Sequence, residues 1–225
     1  MKLQKLCSLL LLSAIFAAGS PIVIGLPADP GTGNCFPFGC VGGGASTRYQ
    51  QVYDKNQFPG PMTIGKLIFY ADAFTGDSNL LASGSWTIYL STTPYAVNDI
   101  DSRPFNDNVG ADNMLFAVVN GGVTIPDVWV ITGNPFNYNP ANGNLLLDIH
   151  ANISTNGFLF LNARNGTAGG VFSRYHNFGT TFDDWGLVTG FDVADDVVIP
   201  EPGAFLLTAS GLGSLLAMRR RRRTV

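Results

Sequence analysis

Between residues 48 and 196 this chain sustains no long apolar stretch: short apolar runs alternate with Asn-Gly, Gly-Gly, Asn-Pro and Thr-Gly breakers, and no amphipathic helical period develops between them. Ser85–Ser91 (SWTIYLS) is the clearest run. Trp86, Ile88 and Leu90 share one face, and Thr87 and Tyr89 share the other. Met62–Tyr70, Met114–Val119, Val128–Thr132, Asn144–Ile153, Gly157–Asn162 and Gly186–Val193 read as further strands. Lys and Glu, which favour helices, are scarce here, whereas Gly, Asn, Thr, Phe and Tyr are abundant. The expectation is an all-β fold, an antiparallel jelly-roll-like β-sandwich over residues 48–196, with no internal repeat.

The two ends follow other rules. Lys2 and Lys5 precede the apolar run Cys7–Ala18, and Ala17 and Gly19 suit a signal peptidase site. Residues 1–19 therefore read as an N-terminal signal helix removed by signal peptidase, with an uncleaved anchor as the alternative. Residues 20–47 are dense in Gly and Pro, show no sustained period, and read as a linker. At the far end, residues 203–218 form an apolar run ahead of five arginines, Arg219, Arg220, Arg221, Arg222 and Arg223. Sixteen residues of helix rise about 24 Å, close to the roughly 30 Å hydrocarbon core, and arginine side chains can reach the interface to relieve the mismatch. A block of arginines resists translocation. The segment reads as a transmembrane helix that halts export with the body outside and the arginines retained in the cytoplasm.

Charge narrows the partners. Between residues 20 and 199 six basic residues stand against fifteen Asp and no Glu, so the body is near −9 although the whole chain is −3. No basic patch remains for nucleic acid, and that partner class is excluded. Of three cysteines one lies in the signal segment; Cys35 and Cys40, in CFPFGC, are placed for a small disulfide loop in an exported chain. A metal site is the other use of such a pair, but no His or further Cys is close in sequence.

The order of the tail is the most specific signal. Pro200, Glu201 and Pro202 precede the apolar run, the arginine block follows it, and Glu201 is the chain's only glutamate. Over residues 197–223 this resembles the PEP-CTERM sorting domain of exported bacterial proteins. The resemblance implies that exosortase, a membrane-embedded cysteine transpeptidase-like enzyme, recognises Pro200–Pro202 as a substrate motif. The protein would then rest in the inner membrane transiently before reaching the cell surface or extracellular matrix. A plain stop-transfer anchor would use the same helix and arginines without cleavage. A GPI signal does not end in an arginine block, and the LPxTG motif of a sortase signal is absent before the tail.

Within the body, Arg48–Phe58, Ser85–Thr93, Asn106–Asn113 and Phe136–Ile149 resemble the sandwich domains that recur in PEP-CTERM proteins, which are distantly similar to carbohydrate-binding modules. Candidate chemistry is sparse. Asp148 and His150 lie two apart on an expected strand, hence on one face, and read as a solvent-facing pair; a hydrolase would also need a nearby serine. Asp183-Asp184 and Asp195-Asp196 could supply the carboxylates of a glycoside hydrolase, but read as solvated loops. Asp99, Asp101, Asp107 and Asp112, with Asn98, Asn108 and Asn113 among them, offer the hard oxygens calcium prefers, although Asp and Asn are also ordinary turn residues. Among the aromatic residues Trp86 is expected to be buried. Tyr138, in FNYNP, which reads as a loop, is expected to be exposed and able to stack on a sugar. The expected function is a non-enzymatic surface or matrix protein, sorted by exosortase and associated with exopolysaccharide, with no cofactor beyond a calcium ion. The alternative is a secreted glycan-active hydrolase carried by the same tail.

Overall fold

The alternation at Ser85–Ser91 becomes a central strand of an antiparallel sheet in a computed structural model that describes residues 20–25, 33–40, 46–72, 78–165, 170–177 and 185–193. Twelve strands occur among these residues: β1 (Ile22–Ile24), β2 (Gly33–Asn34), β3 (Ser46–Tyr53), β4 (Met62–Tyr70), β5 (Ser83–Thr93), β6 (Met114–Asn120), β7 (Val128–Tyr138), β8 (Asn144–Thr155), β9 (Leu161–Asn165), β10 (Phe172–His176), β11 (Trp185–Leu187) and β12 (Thr189–Val193). They form a five-stranded sheet in the order β10-β3-β8-β5-β6, a four-stranded sheet β1-β12-β4-β7, and a small sheet β11-β9-β2. Every pairing is antiparallel. Only short 3-10 turns interrupt the strands, so the described residues are all-β.

The period of two decides which side chains enter the core. Tyr49 and Tyr53 of β3, Leu147 and Ile149 of β8, and Trp86 and Ile88 of β5 are wholly buried in one cluster with Leu67 and Phe69 of β4 and Phe191 of β12. The large sheets thus face each other across shared apolar side chains, each fully buried one contributing about 1.5–3 kcal/mol. Tyr53 meets Phe191 edge-on at 4.9 Å across the gap between the sheets.

Residues 20–47, read from sequence as a linker, are instead built into the body wherever they are described. β1 pairs with β12 and β2 with β9. Cys35 and Cys40 are joined by a disulfide, with Cα atoms 5.2 Å apart. The loop it closes delivers Phe38 into the core at 0 % exposure, against Phe69, Trp86 and Trp129. Trp86 Nε1 donates to the carbonyl of Pro37 at 2.9 Å, and Ala82 N to that of Phe38 at 3.0 Å. The segment lacks a period because it contributes a plug and two very short strands rather than one long strand.

The chain divides into a unit Met1–Ala194 and a unit Asp195–Val225. The second unit, with Pro200–Pro202, the apolar run and Arg219–Arg223, lies outside the described residues, as does the signal segment. Among the described residues no helix is long and apolar enough to cross a membrane.

Candidate functional site

The outward face of the five-stranded sheet has two parts. Toward one end, Val52 and Leu146 are covered by residues 94–113, which run over the sheet through 3-10 turns at Ile100–Ser102 and Phe105–Asn108. Ile100 closes a second small apolar cluster there, flanked by Tyr95, Val97, Val109 and Tyr175. Polar bonds fix this covering segment: Gln50 Nε2 donates to the Phe105 carbonyl at 2.9 Å, and Asn108 Nδ2 to Gln50 Oε1 at 2.9 Å. Beyond its edge the face carries polar side chains and is open.

Register brings those side chains together. Arg48 pairs with His150, and His150 with Thr87; one row away, Gln50 pairs with Asp148, and Asp148 with Tyr89. Arg48 and Asp148 are therefore diagonal neighbours, a separation that a long side chain can span. Arg48 Nε donates to Asp148 Oδ1 at 2.9 Å and Nη2 to Oδ2 at 2.6 Å. Its Nη1 donates to Asn106 Oδ1 at 2.6 Å, and its backbone N to Asn177 Oδ1 at 2.6 Å. The guanidinium carbon lies 5.2 Å from the ring centre of Phe105, which stacks on Tyr175 at 4.1 Å. One arginine thus ties β3, β8 and the covering segment together.

Asp148 is not solvent-facing, contrary to the sequence expectation for the Asp148–His150 pair: it is 1 % exposed beneath Arg48. Burial pushes its carboxyl pKa up, but hydrogen bonds from Arg48 and His150, and their charge, outweigh that and hold it below the usual carboxylate range. His150 does sit on the same face, with its side chain 48 % exposed and Nε2 3.3 Å from Asp148 Oδ2. Its ring also lies 5.2 Å from that of Tyr89, tilted by 58°. A bulge in the β5–β6 ladder falls between Ile88 and Tyr89, where such irregularities re-aim side chains.

Two hollows meet at Arg48 and His150. One, of about 500 Å³, runs toward Ser85, Thr87, Asn152 and Asn177. The other, of about 370 Å³, runs toward Tyr89, Asn106 and Asn113 under the covering segment. Both lie in the range of small-ligand sites, roughly 300–1,000 Å³. Together they make one groove across β3, β8 and β5.

Tyr138 is a correction to the sequence reading. It ends strand β7, not a loop, and is 1 % exposed: its ring meets Phe58 edge-on at 4.8 Å, and its hydroxyl donates to the Gly143 carbonyl at 2.8 Å. Burial raises its pKa far above that of a free tyrosine. It borders a separate, smaller hollow of about 270 Å³ beside Met62 and Asn137. Trp86 is buried, as the strand pattern predicts.

The acidic residues weighed for calcium are spread along the covering segment. Asp99 pairs with Arg103, at 3.4 Å between carboxylate and guanidinium. Asp112 accepts from Thr92 N at 2.7 Å and from its hydroxyl at 2.6 Å. Asp101 and Asp107 lie in the two 3-10 turns. Among the described residues no three His, Cys, Asp or Glu side chains gather as a metal set. Asp183, Asp184, Asp195 and Asp196 lie outside the described residues.

Sequence reasoning missed Arg48, Asn106 and Asn177. The one available signal was a lone arginine at an outward strand position in an acidic body. Comparison of the chain with protein families, with curated proteins and with solved structures finds no match.

Proposed function

We propose that this chain is an exported bacterial protein of the cell surface or extracellular matrix, sorted by exosortase and associated with exopolysaccharide without acting on it as an enzyme. The sorting half of the reading rests on the order Pro200-Glu201-Pro202, apolar run, Arg219–Arg223. In it, signal peptidase removes the first segment, the C-terminal helix holds the chain in the inner membrane, and exosortase releases it. The body is read as jelly-roll-like because β3, β4 and β5 alternate between the two large sheets, as do β6, β7 and β8.

The observation that carries the polysaccharide half is the groove, a shallow cleft lined by amides and hydroxyls beside the Tyr89–His150 ring pair. The commitment of Asp148 to Arg48 favours binding over hydrolysis. A buried carboxylate held by two guanidinium bonds is poorly placed to shuttle protons at a glycosidic bond.

Intact-mass spectrometry of the protein from its native envelope, beside a strain lacking exosortase, tests the sorting. A mature C-terminus near Pro200–Pro202 that depends on exosortase, and is lost when those three residues become alanine, is the expected result. A chain still ending beyond Arg223 in both strains would overturn it and leave a plain membrane anchor.

A further inference from the structure

We infer that the groove takes an uncharged, hydroxyl-rich glycan rather than an acidic one. The inference deepens the proposed polysaccharide association and rests on it. Its starting point is where the charges are. Fifteen Asp stand between residues 20 and 199, yet among the described residues the one acidic side chain lining either half of the groove is Asp148, which is buried and neutralised by Arg48. Arg48 is equally committed: Nε and Nη2 serve Asp148, and Nη1 serves Asn106. An acidic sugar is gripped best by a vacant fork of this kind, whereas three of the five N–H donors of this one are engaged within the protein.

What remains is suited to sugar hydroxyls. Ser85 and Thr87 bring hydroxyls, and Asn113 and Asn152 bring amides. Each such group both donates and accepts, as a sugar hydroxyl does. Tyr89 and His150 add a ring pair beside them. From Asp148 to Asn152 along β8 the groove extends roughly 13 Å, enough for more than one sugar ring. The body's net charge near −9 acts in the same direction, since its field repels polyanions before contact.

The test uses the protein purified from its native envelope, titrated by calorimetry with neutral polymers (dextran, xylan, galactomannan) and acidic ones (alginate, polygalacturonate) at low and high salt. Binding to a neutral polymer that is indifferent to salt, and that weakens roughly tenfold in Tyr89→Ala, is the expected result. Because Tyr89→Ala could disturb the sheet, Asn152→Ala at an exposed strand position is the second variant, and it should also weaken binding with an unchanged melting temperature. Binding confined to the acidic polymers and lost with salt would overturn the neutral class while leaving polysaccharide association standing. Neutral binding untouched by both variants would move the ligand off this groove. No binding to either set would remove both the inference and the polysaccharide half of the proposed function.

Discussion

Arg48 on β3 and Asp148 on β8 are joined by two hydrogen bonds, 2.9 Å from Nε to Oδ1 and 2.6 Å from Nη2 to Oδ2, with the carboxylate sealed beneath the guanidinium. The pair is asymmetric, because Asp148 has no other route to water and Arg48 does. Replacing Arg48 alone by Met strands a buried charge and should cost about 3–5 kcal/mol in urea unfolding. Replacing both, Arg48→Met with Asp148→Leu, should recover most of that loss. Equal losses in the single and double variants would show that the charge left behind is not the cause.

The depressed pKa of Asp148 fixes the sign of one pH dependence. A carboxyl lowered in the folded state stabilises fully above its unfolded value, about 3.9, and that contribution drains away as the pH falls through the lower folded value. Wild-type stability should therefore drop below about pH 4 more steeply than that of Asp148→Asn. Parallel acid unfolding curves for the two proteins would contradict this.

Breaking the Cys35–Cys40 bond, by reduction or by a double Cys→Ser change, should destabilise the body. The loop spans a sequence separation of 5, and closing so short a loop is worth about 2 kcal/mol on the chain-entropy scale. A fall in melting temperature of about 4–8 °C is expected for a body of this size. No fall would mean that the core alone holds the loop in place.

Phe38 is the centre of that loop's contribution, wholly buried among Phe69, Trp86 and Trp129. Phe38→Ala should cost about 3–5 kcal/mol even with the disulfide intact. It should also shift the emission of the two neighbouring tryptophans. An unshifted spectrum would contradict the placement.

Tyr138→Phe removes one hydroxyl bond, to the Gly143 carbonyl. A loss of about 1 kcal/mol is expected, or somewhat more because the carbonyl loses its partner. Glycan titrations of this variant should match wild type, since the side chain is outside the groove. Weakened binding would restore Tyr138 as a ligand contact.

Much of the fold was legible because the strands obey a period of two. Met62–Tyr70 is a strand over those same residues. Where the reading stopped short, local punctuation misled it. Val128–Thr132 continues to Tyr138 through Gly133 and Pro135, because the β4–β7 register slips there and β7 is an edge strand, which tolerates a missing N–H. Gly157–Asn162 was read as a strand, whereas β9 begins at Leu161. Phe36–Gly39 was illegible for the opposite reason: a plug seated by a disulfide and by distant partners has no period to detect. The site divides in the same way. Asp148 and His150 share a face by the two-residue rule, but Arg48 reaches Asp148 across a hundred positions of sequence, and no local pattern announces that partnership. Tyr138 was misjudged because polar neighbours made FNYNP resemble a loop, while Phe58, far away in the chain, covers its ring.

The seating of Phe38 makes the state of two sulfur atoms part of the packing of the body. In a thiol-reducing compartment Cys35 and Cys40 stay apart, and the aromatic centre must hold its ring by contact alone. In an oxidising one the same ring is fastened from outside. The final tightening of this core thus depends on whether those two sulfur atoms are oxidised.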